Sequence, residues 1–241
     1  MAAEFRFQSR VALIAGGTGA LGRTVASAFA REGARVIVTY RRHSEIDELR
    51  SALKDKADGV TGLMIDATDA SAVELGLKHV LANTSTLDIL VNTIGGYHGG
   101  KKIWEEDASA YEQMMALNLK AGFVLARAVL PVMIRQNRGW IVNVASRAGY
   151  GHSPGAALYA ASKAGALALF DSLADEVKTY AICVNSVVPS IFDTPANRAE
   201  IPGADYANWP KPEEIADVIL FLCSQQARVI HGGAIPVYGR T

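Results

Sequence analysis

The stretch Val11-Ala-Leu-Ile-Ala-Gly-Gly-Thr-Gly-Ala-Leu-Gly22 begins with five apolar residues and ends with a glycine-rich turn. An unbroken apolar run of strand length, Val11 to Ala15, reads as a strand covered on both faces. Gly17, Gly19 and Gly22 fit the spacing Gly-x-Gly-x-x-Gly, and Thr24 to Glu32 follows with Val25, Ala28 and Phe29 on one helical face. Glycines at that junction permit a tight turn and let bare backbone approach a pyrophosphate. The helix N-terminus adds free N–H groups and a partial positive charge. The pattern therefore points to a dinucleotide. No Gly-Lys-Ser/Thr follows, so it is not the phosphate loop of nucleotide hydrolases.

Outward from this turn, strand-length apolar runs keep alternating with helical patterns. Strands are expected at Arg35–Thr39, Gly62–Asp66, Leu87–Asn92, Trp140–Val144, Ile182–Val188 and Ala234–Tyr238. Helices are expected at Glu45–Lys54, Ala70–Asn83, Ala110–Arg135, Leu158–Lys178 and Pro212–Ser224. This order predicts an α/β fold with a doubly wound parallel sheet, helices on both faces, and one domain over 1–241. Pro189 to Lys211 reads as one long irregular stretch, and a loop of that length inside a compact domain is usually functional.

Bulk composition narrows the function classes. The 241 residues carry 24 Lys plus Arg against 24 Asp plus Glu. That balance argues against a nucleic-acid or acidic-membrane partner, either of which favours a basic face. Cys183 and Cys223 lie far apart in apolar stretches and are expected to be reduced core thiols, with no metal site. Met1 to Arg10 is charged and unlike a signal peptide, and no stretch of about 20 uncharged apolar residues is present. The expected location is the cytoplasm.

The second strand leads into Thr39-Tyr40-Arg41-Arg42, without the acid that usually holds adenosine ribose hydroxyls. Two guanidiniums there suit a 2′-phosphate, so NADP(H) is expected over NAD(H). Further along, Tyr159-Ala-Ala-Ser-Lys163 places Tyr and Lys one helical turn apart on one face. An alkoxide formed by hydride addition to a carbonyl needs a proton, and a lysine ammonium beside a phenol favours tyrosinate. Ser146 ends the preceding strand, thirteen residues before Tyr159, where its hydroxyl can meet a substrate oxygen or cap a turn. Asn118 interrupts an apolar helix. It either braces a neighbour's backbone or organises water for a proton relay.

These residues resemble the short-chain dehydrogenase/reductase family in its single-domain form, over Arg10 to about Tyr238. The resemblance implies a Rossmann-type seven-stranded sheet and a catalytic tetrad of Asn118, Ser146, Tyr159 and Lys163. It makes Tyr159 the general acid/base, Ser146 the group that polarises the substrate oxygen, and Asn118 the holder of a relay water. Lys163 would lower the tyrosine pKa and bind the nicotinamide ribose. The implied cofactor contacts begin with Gly16, Thr18, Gly19 and Leu21 in the turn and Arg41 and Arg42 after the second strand. They continue with Asp66 and Ala67 by the adenine, then Asn92 and Gly95 in Asn92-Thr-Ile-Gly95. Pro189, Ile191 and Thr194 complete them at the nicotinamide, together with Tyr159 and Lys163.

Some positions depart from the family pattern. Ala15 and Ala20 replace the usual Thr and middle Gly of the glycine motif, Thr93 and Ile94 replace an Asn-Ala pair, and Ser190 replaces a Gly. A narrower resemblance links Asp193-Thr-Pro-Ala-Asn-Arg198, Ile201-Pro-Gly-Ala-Asp205, Trp209 and Gly95-Gly-Tyr-His-Gly-Gly100 to dihydropteridine reductases. Those enzymes lack the active-site serine and prefer NADH, whereas this sequence keeps Ser146 and has Arg41-Arg42.

The expected activity is therefore NADPH-dependent reduction of a small-molecule carbonyl, of the ketone or 3-oxoacyl-thioester kind. A pterin imine reductase is the alternative, and a non-catalytic nucleotide sensor a third reading. His98 and His152 read mainly as solvated loop residues. Tyr97, Trp104 and Trp209 can line a pocket or pack. Arg147 can meet an anionic substrate. The small face of Ala156, Ala160, Ala164 and Ala168 resembles the surface through which family members form homodimers and homotetramers.

Overall fold

The computed structural model describes residues 6–54, 59–151 and 154–241. Seven strands form one parallel sheet: β1 (Val11–Ala15), β2 (Arg35–Tyr40), β3 (Val60–Met64), β4 (Ile89–Asn92), β5 (Gly139–Val144), β6 (Ile182–Pro189) and β7 (Ala234–Val237). Their order is β3-β2-β1-β4-β5-β6-β7. The apolar runs become strands because helices cover both faces. Ile14, Val38, Val91 and Val142 face one core with α1 (Ala20–Arg31) and α8 (Pro212–Leu222). Leu13, Ile37, Leu90 and Ile141 face the other. That second layer holds α3 (Ala70–Thr84), α4 (Ala108–Met115), α5 (Ala121–Gln136) and α6 (Ala157–Val177). The helix α2 (His43–Leu53) follows β2 and packs Ile46 and Leu49 into the first core.

Local signals set the helix starts. Asp69 caps α3, its carboxylate accepting from the N–H groups of Ser71 and Ala72 at 2.9 and 3.2 Å. Pro212 opens α8 with Glu213 and Glu214 in the first turn, where they meet the positive end of the dipole.

Three elements differ from the expectations by more than a two-residue shift of a boundary. The first helix begins at Ala20 rather than Thr24, because Gly19 is extended and acts as its N-cap. The helix expected over Ala110–Arg135 is broken by a π-helical turn, Ala116–Lys120, with Asn118 at its centre. The stretch Pro189–Lys211 is not wholly irregular: Thr194 caps a short helix, α7 (Pro195–Glu200). The helical run Ala108–Gln136 is 29 residues long and apolar enough, by length and composition, to match a membrane span. Half of its most apolar window is buried within the fold, against the sheet and its neighbouring helices.

Candidate active site

Parallel order reverses between β1 and β4, and a cleft of about 460 Å³ opens there at the carboxyl ends of the strands. Crevices of this kind are where doubly wound sheets take ligands. Its floor is the glycine turn. Gly16 has φ +73°, its N–H donates to Thr39 Oγ1 at 2.8 Å, and Thr93 Oγ1 donates to the Ala15 carbonyl at 2.7 Å. A Cβ on Gly17 would lie 2.6 Å from Val38, and one on Gly22 only 2.1 Å from the Gly16 carbonyl oxygen. Gly19 caps α1 without a side chain, so no side-chain cap occupies the N–H groups of the first turn. Leu21 buries its side chain in the core, leaving only its backbone for a ligand.

At the far end of the cleft stand Arg41, Arg42, Asp66 and Ala67. The N–H and hydroxyl of Thr68 both donate to Asp66 Oδ1 at 2.8 Å, and they hold its carboxyl below the usual range. A residue that the sequence offers only as the start of a helix joins them. Glu45, on the first turn of α2, pairs with Arg42 at 2.7 Å and accepts from Thr18 Oγ1 at 3.2 Å. Its only signal in the sequence is an acid in the first turn of the helix after β2.

At the near end, a Cβ on exposed Gly95 would fall 2.9 Å from Lys163 Nζ and 3.0 Å from Asn118 Oδ1. The cleft thus abuts the expected tetrad. Asn118 Oδ1 accepts from Gly96 N–H at 2.9 Å, while its Nδ2 donates to the Gly96 carbonyl at 3.1 Å and to Ser162 Oγ at 3.0 Å. Of the two readings of this asparagine, its side chain fits the backbone brace. The π turn aims it at Gly96; such turns often occur at functional positions.

Lys163 is buried and donates to the Val144 carbonyl at 3.2 Å, and burial lowers its pKa to about 8. Burial raises the Tyr159 phenol above its ordinary value; the Ser146 hydroxyl opposes that shift and Tyr97 adds to it. Desolvation is the largest cause of both shifts, raising the Tyr159 phenol and lowering the Lys163 ammonium. Ser146 also caps the turn after β5, accepting from Ala148 N–H at 3.2 Å.

Residues 10–204 match the family model described as short chain dehydrogenase. The chain belongs to the short-chain dehydrogenase/reductase family. The 3-oxoacyl-[acyl-carrier-protein] reductase FabG of Thermotoga maritima is 31% identical over 97% of this chain and 98% of its own length. The FabG of Vibrio cholerae is 32% identical over 96% and 97%. Among solved structures, a putative short-chain dehydrogenase/reductase from Burkholderia xenovorans superposes with TM-score 0.91 at 33% identity, covering 97% of this chain and 96% of that one. Levodione reductase does so with TM-score 0.90 at 26% identity, covering 97% and 98%. This short-chain dehydrogenase/reductase is a nicotinamide-dependent oxidoreductase acting on alcohol and carbonyl groups.

Its residues fit that cofactor. The cradle that a Cβ at Gly17 or Gly22 would fill, the uncapped start of α1 and the carboxylates and guanidiniums at the far end supply backbone donors for a pyrophosphate and polar groups for a ribose. Not every expected contact lines the cleft. Asn92 is buried beneath it, donating to Asn143 Oδ1 at 2.9 Å, while Thr93 and Ile94 form the wall. Pro189 is buried at the end of β6, and Thr194 Oγ1 accepts from Asn197 N–H at 3.1 Å. Neither they nor Ile191 border the described cleft. Ser190 Oγ donates to the Tyr238 carbonyl at 2.9 Å, which ties this loop to the chain beyond β7.

The remaining candidates divide. Tyr97 packs edge-on against Tyr159 with ring centroids 5.1 Å apart. His98 pairs with Glu106 at 2.9 Å, and Arg147 donates to the Thr241 carbonyl at 2.9 Å while lying over the Tyr238 ring. Trp104 is exposed under Lys102, and Trp209 is buried against Tyr206. His152 lies outside the described residues.

Proposed function

We propose that this chain is one Rossmann-type domain over 1–241 that reduces a ketone or 3-oxoacyl thioester to the alcohol, with NADP(H) preferred to NAD(H). The observation that carries it is Gly95: one backbone position borders the cleft and lies so close to Lys163 and Asn118 that a side chain there would collide with both. The nicotinamide, when bound, supplies hydride to the carbonyl carbon. Every other part of the reaction belongs to the protein. The glycine turn and the start of α1 hold the pyrophosphate, and Arg41 and Arg42 stand at the end of the cleft where a 2′-phosphate would lie. Ser146 orients the substrate oxygen by its hydroxyl. Tyr159 donates its proton to that oxygen as negative charge develops there, which its raised pKa suits in the reductive direction. The Lys163 ammonium, one turn away, stabilises the tyrosinate left behind. Asn118 fixes Gly96 and so the wall between cleft and tetrad.

The FabG relatives favour a 3-oxoacyl thioester among carbonyls, and a cytoplasmic enzyme. Of the small face expected on α6, Ala164 and Ala168 are exposed, while Ala156 is buried before the helix and Ala160 half-buried; with exposed Ala161 the remaining face suits a homodimer or homotetramer. A cofactor-oxidation screen with NADPH and NADH against ketones, oxoacyl thioesters and quinonoid dihydropterin tests the proposal. Carbonyl turnover with NADPH is expected. Turnover of the pterin alone would replace the carbonyl reading, and no turnover with intact nucleotide binding would favour a sensor. Tyr159→Phe is expected to lower kcat by about 10²- to 10⁴-fold.

A further inference from the structure

A carboxylate stands where the sequence offers only arginines. Glu45 Oε1 receives Nε and Nη2 of Arg42 at 2.8 and 2.7 Å, so one edge of that guanidinium is consumed. Glu45 Oε2 accepts from Thr18 Oγ1 at 3.2 Å and from the Arg41 N–H at 3.3 Å. One acid thus ties the glycine turn, the tip of β2 and the start of α2 together, at the wall of the cleft. Arg23 is similarly engaged, on Glu48 at 3.6 Å and on the Thr18 carbonyl at 3.0 Å. Arg41 differs: among the described residues its guanidinium makes no hydrogen bond. The cleft wall therefore holds three cations, Arg23, Arg41 and Arg42, and three anions, Glu45, Glu48 and Asp66.

This balance matters for what enters. A 2′-phosphate brings up to about two negative charges and needs guanidinium edges that are not already filled. Arg41 has one, whereas Arg42 must first leave Glu45. An unphosphorylated ribose instead brings hydroxyl donors, and Glu45 already accepts a hydroxyl from Thr18 in the same place. Resting on the reading of the cleft as a nicotinamide-dinucleotide site, we propose that Glu45 is a specificity-determining residue. It withholds Arg42 from the 2′-phosphate, leaves that contact to Arg41, and offers its own carboxylate to ribose hydroxyls, so the cleft accepts both NADP(H) and NAD(H).

Binding, not turnover, tests this. The full chain is titrated by calorimetry with 2′,5′-ADP and with 5′-ADP, which lack the nicotinamide, and with NADP⁺ and NAD⁺. In the wild-type protein the Kd values of the two fragments are expected to differ by less than about 10-fold. Glu45→Gln frees Arg42 and should widen the ratio toward 2′,5′-ADP by about 5-fold or more. Arg41→Ala should weaken 2′,5′-ADP about 5-fold more than Arg42→Ala does. A ratio unchanged or narrowed in Glu45→Gln, or equal losses in the two arginine variants, overturns the proposal. Should Glu45→Gln not fold, the arginine comparison decides alone. Wild-type protein that binds none of the four probes overturns the reading of the cleft, and the role of Glu45 with it. Fragment binding without carbonyl turnover overturns only the reaction assigned to the site.

Discussion

At the scale of single residues, the proposed chemistry rests on how burial treats Tyr159 and Lys163. Taking a lysine out of water penalises its charged form, and with Lys163 nearly inaccessible its pKa falls from 10.5 to about 8. The unfolded chain then binds more protons than the folded one between those two values. Stability from this group consequently rises with pH across that window, and the penalty is fully present below about 8. Lys163→Met should stabilise the protein at pH 7 by up to about 3 kcal/mol, with the gain fading toward pH 10.5. Urea unfolding at both pH values checks this, and equal gains at both would show that desolvation is not the cause. Tyr97 is the neighbour that sequence could not assign. Its ring meets Tyr159 edge-on, an arrangement worth about 0.5–1.5 kcal/mol beyond buried area. Tyr97→Ala should lower the apparent pKa of Tyr159 in the pH profile of kcat/KM, since Tyr97 contributes to raising it, while Tyr97→Phe should keep the packing. A profile unmoved by Tyr97→Ala would remove Tyr97 from the site.

At the scale of elements, the β1–turn–α1 unit is fixed by contact rather than by flexibility. Gly22 presses against the Gly16 carbonyl and Thr93, so α1 starts close to the sheet. Gly22→Ala must push that helix away; a loss of about 1–3 kcal/mol, or more, is expected, with dinucleotide binding lost as well. Thermal melts with and without NADP⁺ measure both. The π turn is the second decisive element. It places Asn118 against Gly96 and Ser162, and Asn118→Ala leaves three polar groups without that partner. The expected cost is on the order of 2–4 kcal/mol in urea unfolding. A cost within about 0.5 kcal/mol would mean that the brace is dispensable.

At the scale of the molecule, the sheet is pinned at the end opposite the cleft. Fully buried Asp88 accepts from the Val11 N–H at 2.9 Å and pairs with Arg10 at 3.2 Å and Arg138 at 2.5 Å. These contacts join the starts of β1, β4 and β5. Removing the acid leaves the buried Val11 N–H without its acceptor and two partly exposed guanidiniums without their partner, so Asp88→Ala should cost about 1–3 kcal/mol without changing KM in properly folded protein. Chemical unfolding and steady-state kinetics separate the two effects. The same scale governs assembly. Met115, Leu119, Phe123 and Leu169 border an open apolar recess on the face that carries α6, and Phe123 is 47% exposed. If that face joins two copies of the chain, Phe123→Glu should shift the oligomer toward monomer in light scattering.

The sequence by itself determined the alternation of strand and helix, the glycine turn and the tetrad candidates. Each depends on spacing along the chain: unbroken apolar runs for two-sided burial, a turn with no room for side chains, and Tyr159 four residues before Lys163. Tertiary structure decided what spacing cannot encode. The π turn inserted its extra residue where Asn118 had to reach Gly96, and desolvation set the direction of both pKa shifts. Asn92 withdrew beneath the floor because its amide found Asn143 on the neighbouring strand. Glu45 reached the cleft because α2 folds back over the tip of β2, which brings an acid beside two arginines that read, in sequence, as free.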